Sequence, residues 1–263
     1  MMKAVKAILM SLSLLLTFTS CVGNSSERTE DNDQNQTAAS TEKQENPDRK
    51  SDLTESAGAR LLYMGHASIR IITREEKVIY IDPFVGDGYE PAADLILITH
   101  GHYDHNAVKK VSNRNPDCKT VTWKESLAKG KYRTFDFGFA TVEAVEAGYN
   151  RQHSVKNCVG YVITLSDGVS VYVSGDTSRT KQMPGLSAKH IDYAFYCCDG
   201  VYNMDIEEAA VCAGLVGAKH DIPYHVIAEN GVYFDRARAE KFDSPNLLIV
   251  DEGEEIELMK TGS

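Results

Sequence analysis

His100-Gly101-His102-Tyr103-Asp104-His105 sets four potential metal ligands within six residues, directly after the apolar run Leu95-Ile96-Leu97-Ile98. Alternate side chains of an extended segment point the same way, so His100 and His102 can share one ion. Asp104 and His105, where the chain turns towards a helix, can then face a neighbouring ion. Imidazole and carboxylate donors suit zinc, with manganese or iron as alternatives where carboxylates contribute. Two adjacent divalent ions would lower the pKa of a shared water until it supplies hydroxide, and would hold the substrate oxygen on which charge builds up. Such a centre hydrolyses without a serine or cysteine nucleophile. Asp104 is the side chain best placed to orient the nucleophile and carry a proton to the leaving group.

The elements that must position this cluster are mostly strands. Residues 95–98 have the length and composition of a strand buried on both faces. Ahead of them, 61–63, 68–72 and 78–81 are short apolar or β-branched runs broken by Gly65 and by Arg74-Glu75-Glu76-Lys77, the pattern of a meander. Beyond the cluster, 106–111 predicts a short helix, 119–122 a strand and 124–129 a second helix. The second half repeats the theme with strands over 140–145, 159–165 and 169–173, Ser166-Asp167-Gly168 forming a hairpin turn. Further strands are expected over 191–196 and 247–250, and helices over 206–216 and 236–241. Two sheets packed face to face and covered by helices satisfy that order, which makes the fold class α/β.

His-x-His-x-Asp-His after an apolar strand resembles the signature of the metallo-β-lactamase superfamily, and the resemblance runs from about residue 60 to 258. Leu62-Tyr63-Met64-Gly65-His66-Ala67-Ser68 and Ile79-Tyr80-Ile81-Asp82-Pro83-Phe84 are similar to the opening of the branch containing ascorbate-6-phosphate lactonases and related metal-dependent hydrolases. Ser174-Gly175-Asp176-Thr177 matches that branch's Gly-Asp-Thr, and Ile222-Pro223-Tyr224-His225 its closing Pro-x-His. The resemblance implies a four-layer αββα sandwich. It also implies one metal on His100, His102 and His153, a second on Asp104, His105 and His225, and Asp176 bridging them. His66 resembles a position near the site, with a substrate-contacting or supporting role and a purely structural one both open. Asp82 could steady the second ring nitrogen of a ligand histidine or cap its own loop. The family's Pro-x-Gly-Gly turn is replaced here by Cys197-Cys198-Asp199-Gly200, a loop expected to border the site. Tyr202, Asn203 and Met204 follow it as candidates for shaping the substrate pocket, against a reading in which they open a helix near a cap at Asp205. His190 and His220 match no ligand position and read as structural.

The start of the chain reads as an address. Lys3 and Lys6 precede an apolar run over 7–18 that stops at Cys21, so residues 1–20 are expected to be a signal peptide. Phe18-Thr19-Ser20-Cys21 resembles a bacterial lipobox, which would lipidate Cys21 and tether the protein to a cell-envelope membrane. Residues 21–58, polar and without an aromatic residue, are expected to be a flexible linker, and 59–263 one hydrolase domain. A net charge of -10 argues against generic nucleic-acid binding. Of six cysteines, five remain once Cys21 is assigned to lipid, and no disulfide framework follows. Cys197-Cys198 reads as two small buried residues at a strand end.

Within the superfamily the same metal platform cuts many bonds. A true β-lactamase is disfavoured because those relatives lack the Asp176 and His105 arrangement, a ribonuclease because the acidic chain has no room for an RNA-gripping insertion, and a flavo-diiron protein for want of a flavin domain. The expectation is a metal-dependent hydrolase acting on a small ester, lactone or phosphodiester. The alternative is a catalytically idle metal-binding or scaffold lipoprotein of the same fold.

Overall fold

The computed structural model describes residues 58–227 and 232–261. The expected signal peptide and, apart from Gly58, the expected linker lie outside the described residues. In chain order the strands begin with β1 (Ala59–Gly65), β2 (Ser68–Ile72), β3 (Val78–Ile81), β4 (Ala93–Ile98) and β5 (Arg114–Thr122). Helix α1 (Trp123–Ser126) and the small hairpin β6 (Leu127–Ala128) and β7 (Lys131–Tyr132) follow, leading to β8 (Thr134–Asp136), β9 (Ala140–Glu146), β10 (Val159–Leu165) and β11 (Ser170–Val173). The chain then alternates helix and strand: α2 (Met183–Leu186), β12 (Tyr193–Cys197), α3 (Ile206–Val216), β13 (His220–Tyr224), α4 (Arg236–Ala239) and β14 (Glu255–Leu258).

These strands form two six-stranded sheets, ordered β14-β1-β2-β3-β4-β5 and β13-β12-β11-β10-β9-β8. Both are mixed: β3, β4 and β5 run parallel, as do β11, β12 and β13, while the hairpins are antiparallel. Ile79, Ile81, Leu95 and Leu97 of the first sheet share one core with Val142, Tyr161, Ile163 and Val171 of the second. The alternate residues Val78, Tyr80, Ile96 and Ile98 enter a separate cluster with Val111 on the first sheet's outer face. That two-sided burial explains the unbroken apolar runs of β3 and β4. It also fixes their register, since a one-residue slip would exchange the two cores. On the second sheet's outside, α3 buries Ile206, Ala209, Cys212, Ala213 and Val216. Its start is capped by Asp205, whose carboxylate accepts from the backbone N–H of Glu208, and its end by left-handed Gly217.

Several expectations need correction. Residues 106–111 hold only a 3-10 turn, Val108–Lys110. The helix expected over 124–129 stops after one turn because Leu127 and Ala128 enter the β6–β7 hairpin. The helix expected over 236–241 likewise ends at Ala239. Strand β5 begins at Arg114, earlier than its apolar part suggests. Residues 247–250 form no strand: Leu247 makes a single isolated bridge to Asp221 just after Pro245, which has no N–H to extend a ladder. Strand β14 was not among the expected strands. It pairs with the edge of β1 and buries Leu258.

Candidate metal centre

Strand β4 ends at Ile98, and the chain delivers the cluster over the edge where the two sheets meet. Thr99 anchors the departure: its N–H and hydroxyl donate to Asp82 at 2.8 and 2.5 Å. The second set of residues arrives through a close approach that needs glycine. Gly175 has φ +60°, and a Cβ there would lie 2.7 Å from the Val159 carbonyl and 3.1 Å from Thr99 Cβ. Without a side chain, the turn after β11 can press against Thr99 and bring Asp176 onto the histidines. Backbone bonds from Gly148 N–H to Asp176 O (3.1 Å) and from Ser178 N–H to Gly148 O (2.7 Å) clamp the His153 loop to the same turn. His225, just after β13, is held by its N–H donating to the His66 carbonyl at 2.9 Å.

The seven ligands implied by the resemblance converge. His102 Nδ1 lies 3.0 Å from His100 Nε2 and 3.2 Å from His153 Nε2. On the other side, Asp104, His105 and His225 gather with His66, their donor atoms all within 4.8 Å of one another. Asp176 stands between. Its Oδ2 faces His153 Nε2 at 3.3 Å, and its Oδ1 faces His105 Nε2 at 3.4 Å and His225 Nε2 at 3.6 Å.

The donor set fits divalent metal. His105 Nε2, Asp176 Oδ1 and His225 Nε2 are all buried without a hydrogen-bond partner among the described residues, although they point at one another. Each such orphaned group costs on the order of 1–3 kcal/mol, and a cation among them answers all three. The outward ring nitrogens of His100, His105 and His153 are hydrogen-bonded to other residues, and that of His225 faces a carboxylate. His100 Nδ1 is 3.1 Å from Thr99 Oγ1, His105 Nδ1 2.8 Å from Asp82, His153 Nδ1 3.1 Å from Asn150 Oδ1, and His225 Nδ1 3.4 Å from Asp199. Such contacts set ring orientation and leave the inward nitrogen free to ligate.

Electrostatics sort the cluster the same way. Burial and the neighbouring His105 push His100 down to about 2, so its ring is neutral. Burial opposes ionisation of Asp176, yet the surrounding imidazoles hold its carboxyl well below the usual range. Asp104 is lowered too, against its burial, by the hydrogen bond from His66 and by His105. His105 runs opposite: burial works against its charge, but Asp176 and Asp82 carry it up to about 9.

The remaining candidates also find places. His66 Nε2 lies 3.2 Å from Asp104 Oδ2, and its ring packs on that of His225 with centroids 3.8 Å apart. Asn203 donates to Asp176 Oδ2 at 2.9 Å and to Asp199 Oδ2 at 2.6 Å. Strain collects here: His66, Asp82 and His225 all have positive φ, of 52°, 43° and 55°. His190 instead ends a 3-10 turn in the left-handed region, and His220 stacks on Tyr193 at 4.8 Å, both remote from the cluster in role. Cys197 and Cys198 are buried and unpaired, as the strand-end reading expects.

Sequence reasoning missed Thr99, Asn150 and Asp199. Asp199 does most for the site's far wall: it accepts from the N–H groups of Val201 and Tyr202 at 2.7 Å each, holds Asn203, and faces His225. Its only signal was the departure from the family turn at Cys197-Cys198-Asp199-Gly200.

Two cavities flank His102, Gln152 and His153. One of about 420 Å³ lies over Asp104, Asp176 and His225 and is walled by His66, Phe84, Tyr103, Tyr202, Ile227 and Tyr233. The other, of about 450 Å³, lies on the His100 side against Gly101, Trp123, Ser154, Asn157 and Cys158.

Comparison with known proteins agrees with this architecture. Residues 60–225 match the family described as the beta-lactamase superfamily domain. A metal-dependent hydrolase from Methanoculleus marisnigri is 30% identical over 220 residues, covering 76% of this chain and 96% of that one. Among solved structures, a Parabacteroides distasonis protein of the metal-dependent hydrolases aligns with TM-score 0.59 and 28% identity, over 73% of this chain and 92% of that one. A metallo-β-lactamase fold protein from Bacillus subtilis aligns with TM-score 0.56 at 16% identity, over 76% of this chain and 99% of that one, a likeness of fold. The chain belongs to the metallo-β-lactamase superfamily, among its metal-dependent hydrolases.

Proposed function

We propose that the protein is a dinuclear metal-dependent hydrolase acting on a small ester, lactone or phosphodiester. The observation that carries this reading is the Asp176 carboxylate, which turns one oxygen to His153 and the other to His105 and His225. His100, His102 and His153 would hold one ion and Asp104, His105 and His225 the other, with Asp176 shared. Zinc fits the donors, as do manganese and iron. Divalent ions held there supply Lewis acidity and lower the pKa of an attacking water.

The remaining work falls to the chain's own residues. Asp104, ionised and fixed by His66, is placed to take the proton from attacking water and return it to the leaving oxygen. Asp82 holds the His105 ring so that its inward nitrogen does not wander, and Asp199 faces the outward nitrogen of His225. Asn203 keeps Asp176 from swinging towards solvent. We also propose that Cys21 is lipidated and displays the domain at the cell envelope, on the strength of Lys3, Lys6, the apolar run and Thr19-Ser20-Cys21.

Metal analysis of the purified protein followed by turnover of a chromogenic phosphodiester and a panel of lactones and esters tests the hydrolase reading. Two metals per chain, with turnover abolished in Asp104→Ala, support it. Two metals with no turnover across the panel would instead favour an idle metal-binding scaffold. Palmitate labelling that persists in Cys21→Ser would remove the anchor alone.

A further inference from the structure

We propose that the substrate is uncharged away from its reacting bond and carries an aryl or alkyl group seated on an aromatic wall over Asp104 and Asp176. This deepens the hydrolase reading and rests on it. Phe84 follows β3, Tyr103 lies in the histidine loop, Tyr202 follows β12, and Ile227 and Tyr233 follow β13, so four separate loops contribute to one wall. The rings brace one another edge to face, Phe84 with Tyr103 at 5.6 Å and Phe84 with Tyr233 at 5.8 Å. Yet Tyr103 is 81% exposed, Tyr202 56% and Tyr233 37%. Single exposed aromatics are ordinary. Three around the mouth of one cavity form a surface that a bound apolar group would cover.

Charge points the same way. Among the described residues that line them, neither cavity has a lysine or an arginine. Arg238, which follows that wall in the chain, donates to the backbone carbonyls of Asp199 at 2.6 Å and Ile227 at 3.4 Å. A remote phosphate needs a cationic fork or point charge to replace its water. Here it would meet aromatic faces, so phosphorylated sugar lactones, suggested by the family resemblance, fit poorly.

The test uses the full, metal-loaded protein with three matched lactones: γ-butyrolactone, its phenyl-substituted analogue and a phosphorylated hexonolactone. Expected is a kcat/KM for the phenyl lactone about tenfold or more above both others. Tyr103→Ala and Tyr202→Ala should erode that preference mainly through KM. Calorimetric titration with 3-phenylpropanoate and with a phosphorylated sugar acid reads the wall without turnover, and about tenfold tighter binding of the phenyl acid is expected. If neither the lactones nor the ester and phosphodiester panel turn over yet the phenyl acid binds preferentially, the hydrolase reading fails and the wall stands. Equal or stronger binding or turnover of the phosphorylated compounds, or tyrosine variants that weaken all ligands alike, overturns this proposal.

Discussion

Asp82 Oδ2 sits 2.8 Å from His105 Nδ1, while the same carboxylate receives the N–H and hydroxyl of Thr99, the residue from which the histidine cluster departs. One buried acid thus fixes both a proposed ligand ring and the backbone that launches three other candidates. Asp82→Asn keeps the left-handed backbone position acceptable but removes the charge. Its affinity for zinc, measured against a chromophoric chelator, should fall about 10–100-fold. An unchanged affinity would make Asp82 a loop cap only.

Asp104 is expected to serve both as ligand and as proton carrier. Asp104→Asn should lower kcat/KM about 10²–10⁴-fold on whichever substrate is turned over. Measuring metal content alongside separates the roles: retained metal with lost turnover assigns the proton, and joint loss assigns ligation. Turnover near that of the wild type would remove Asp104 from the chemistry.

Gly175 makes a sharper geometric prediction. A methyl group added there meets the Val159 carbonyl at 2.7 Å in a backbone region costly for other residues. Gly175→Ala should destabilise the protein by about 1–3 kcal/mol in denaturant unfolding and reduce bound metal by displacing Asp176. Wild-type stability and metal content together would show that the turn can relax.

Much of the site was legible in the sequence, and the reason is locality. His100, His102, Asp104 and His105 share one strand end, so their spacing alone brings their side chains together. His153, Asp176 and His225 lie on other strands and were reached only through family resemblance, since no period links them to the first cluster. Asp199 and Asn150 act on rings supplied by distant segments, and their residue types carry no mark of that. His66 stayed undecided for the same reason, its contact with Asp104 spanning 38 residues of chain. In the fold, β4 and α3 announced themselves by apolar runs and capping. Strand β14 did not, because an edge strand with two exposed glutamates derives its structure from β1.

Away from the centre, Asp192 ties the end of the chain to the second sheet. It accepts from the Ser170 N–H at 2.9 Å, Lys260 Nζ at 2.9 Å and the Thr261 hydroxyl at 2.7 Å. Burial opposes its charge, but these donors hold its carboxyl below the usual range. A lowered folded-state value means the stabilisation is present above the unfolded pKa and disappears as pH falls through the folded one. Asp192→Asn should therefore cost about 1–3 kcal/mol at pH 7, and the gap to wild type should close as the medium is acidified below the ordinary aspartate range. A gap independent of pH would assign the loss to shape.

The central claim is that a shared carboxylate joins two metal sites built from distant parts of the chain. Anomalous diffraction at the zinc edge, from crystals of the zinc-loaded protein, tests it directly. Two peaks are predicted, one among His100, His102 and His153 and one among Asp104, His105 and His225, with Asp176 between them. A single peak, or metal bound elsewhere with these residues bare, would contradict the account.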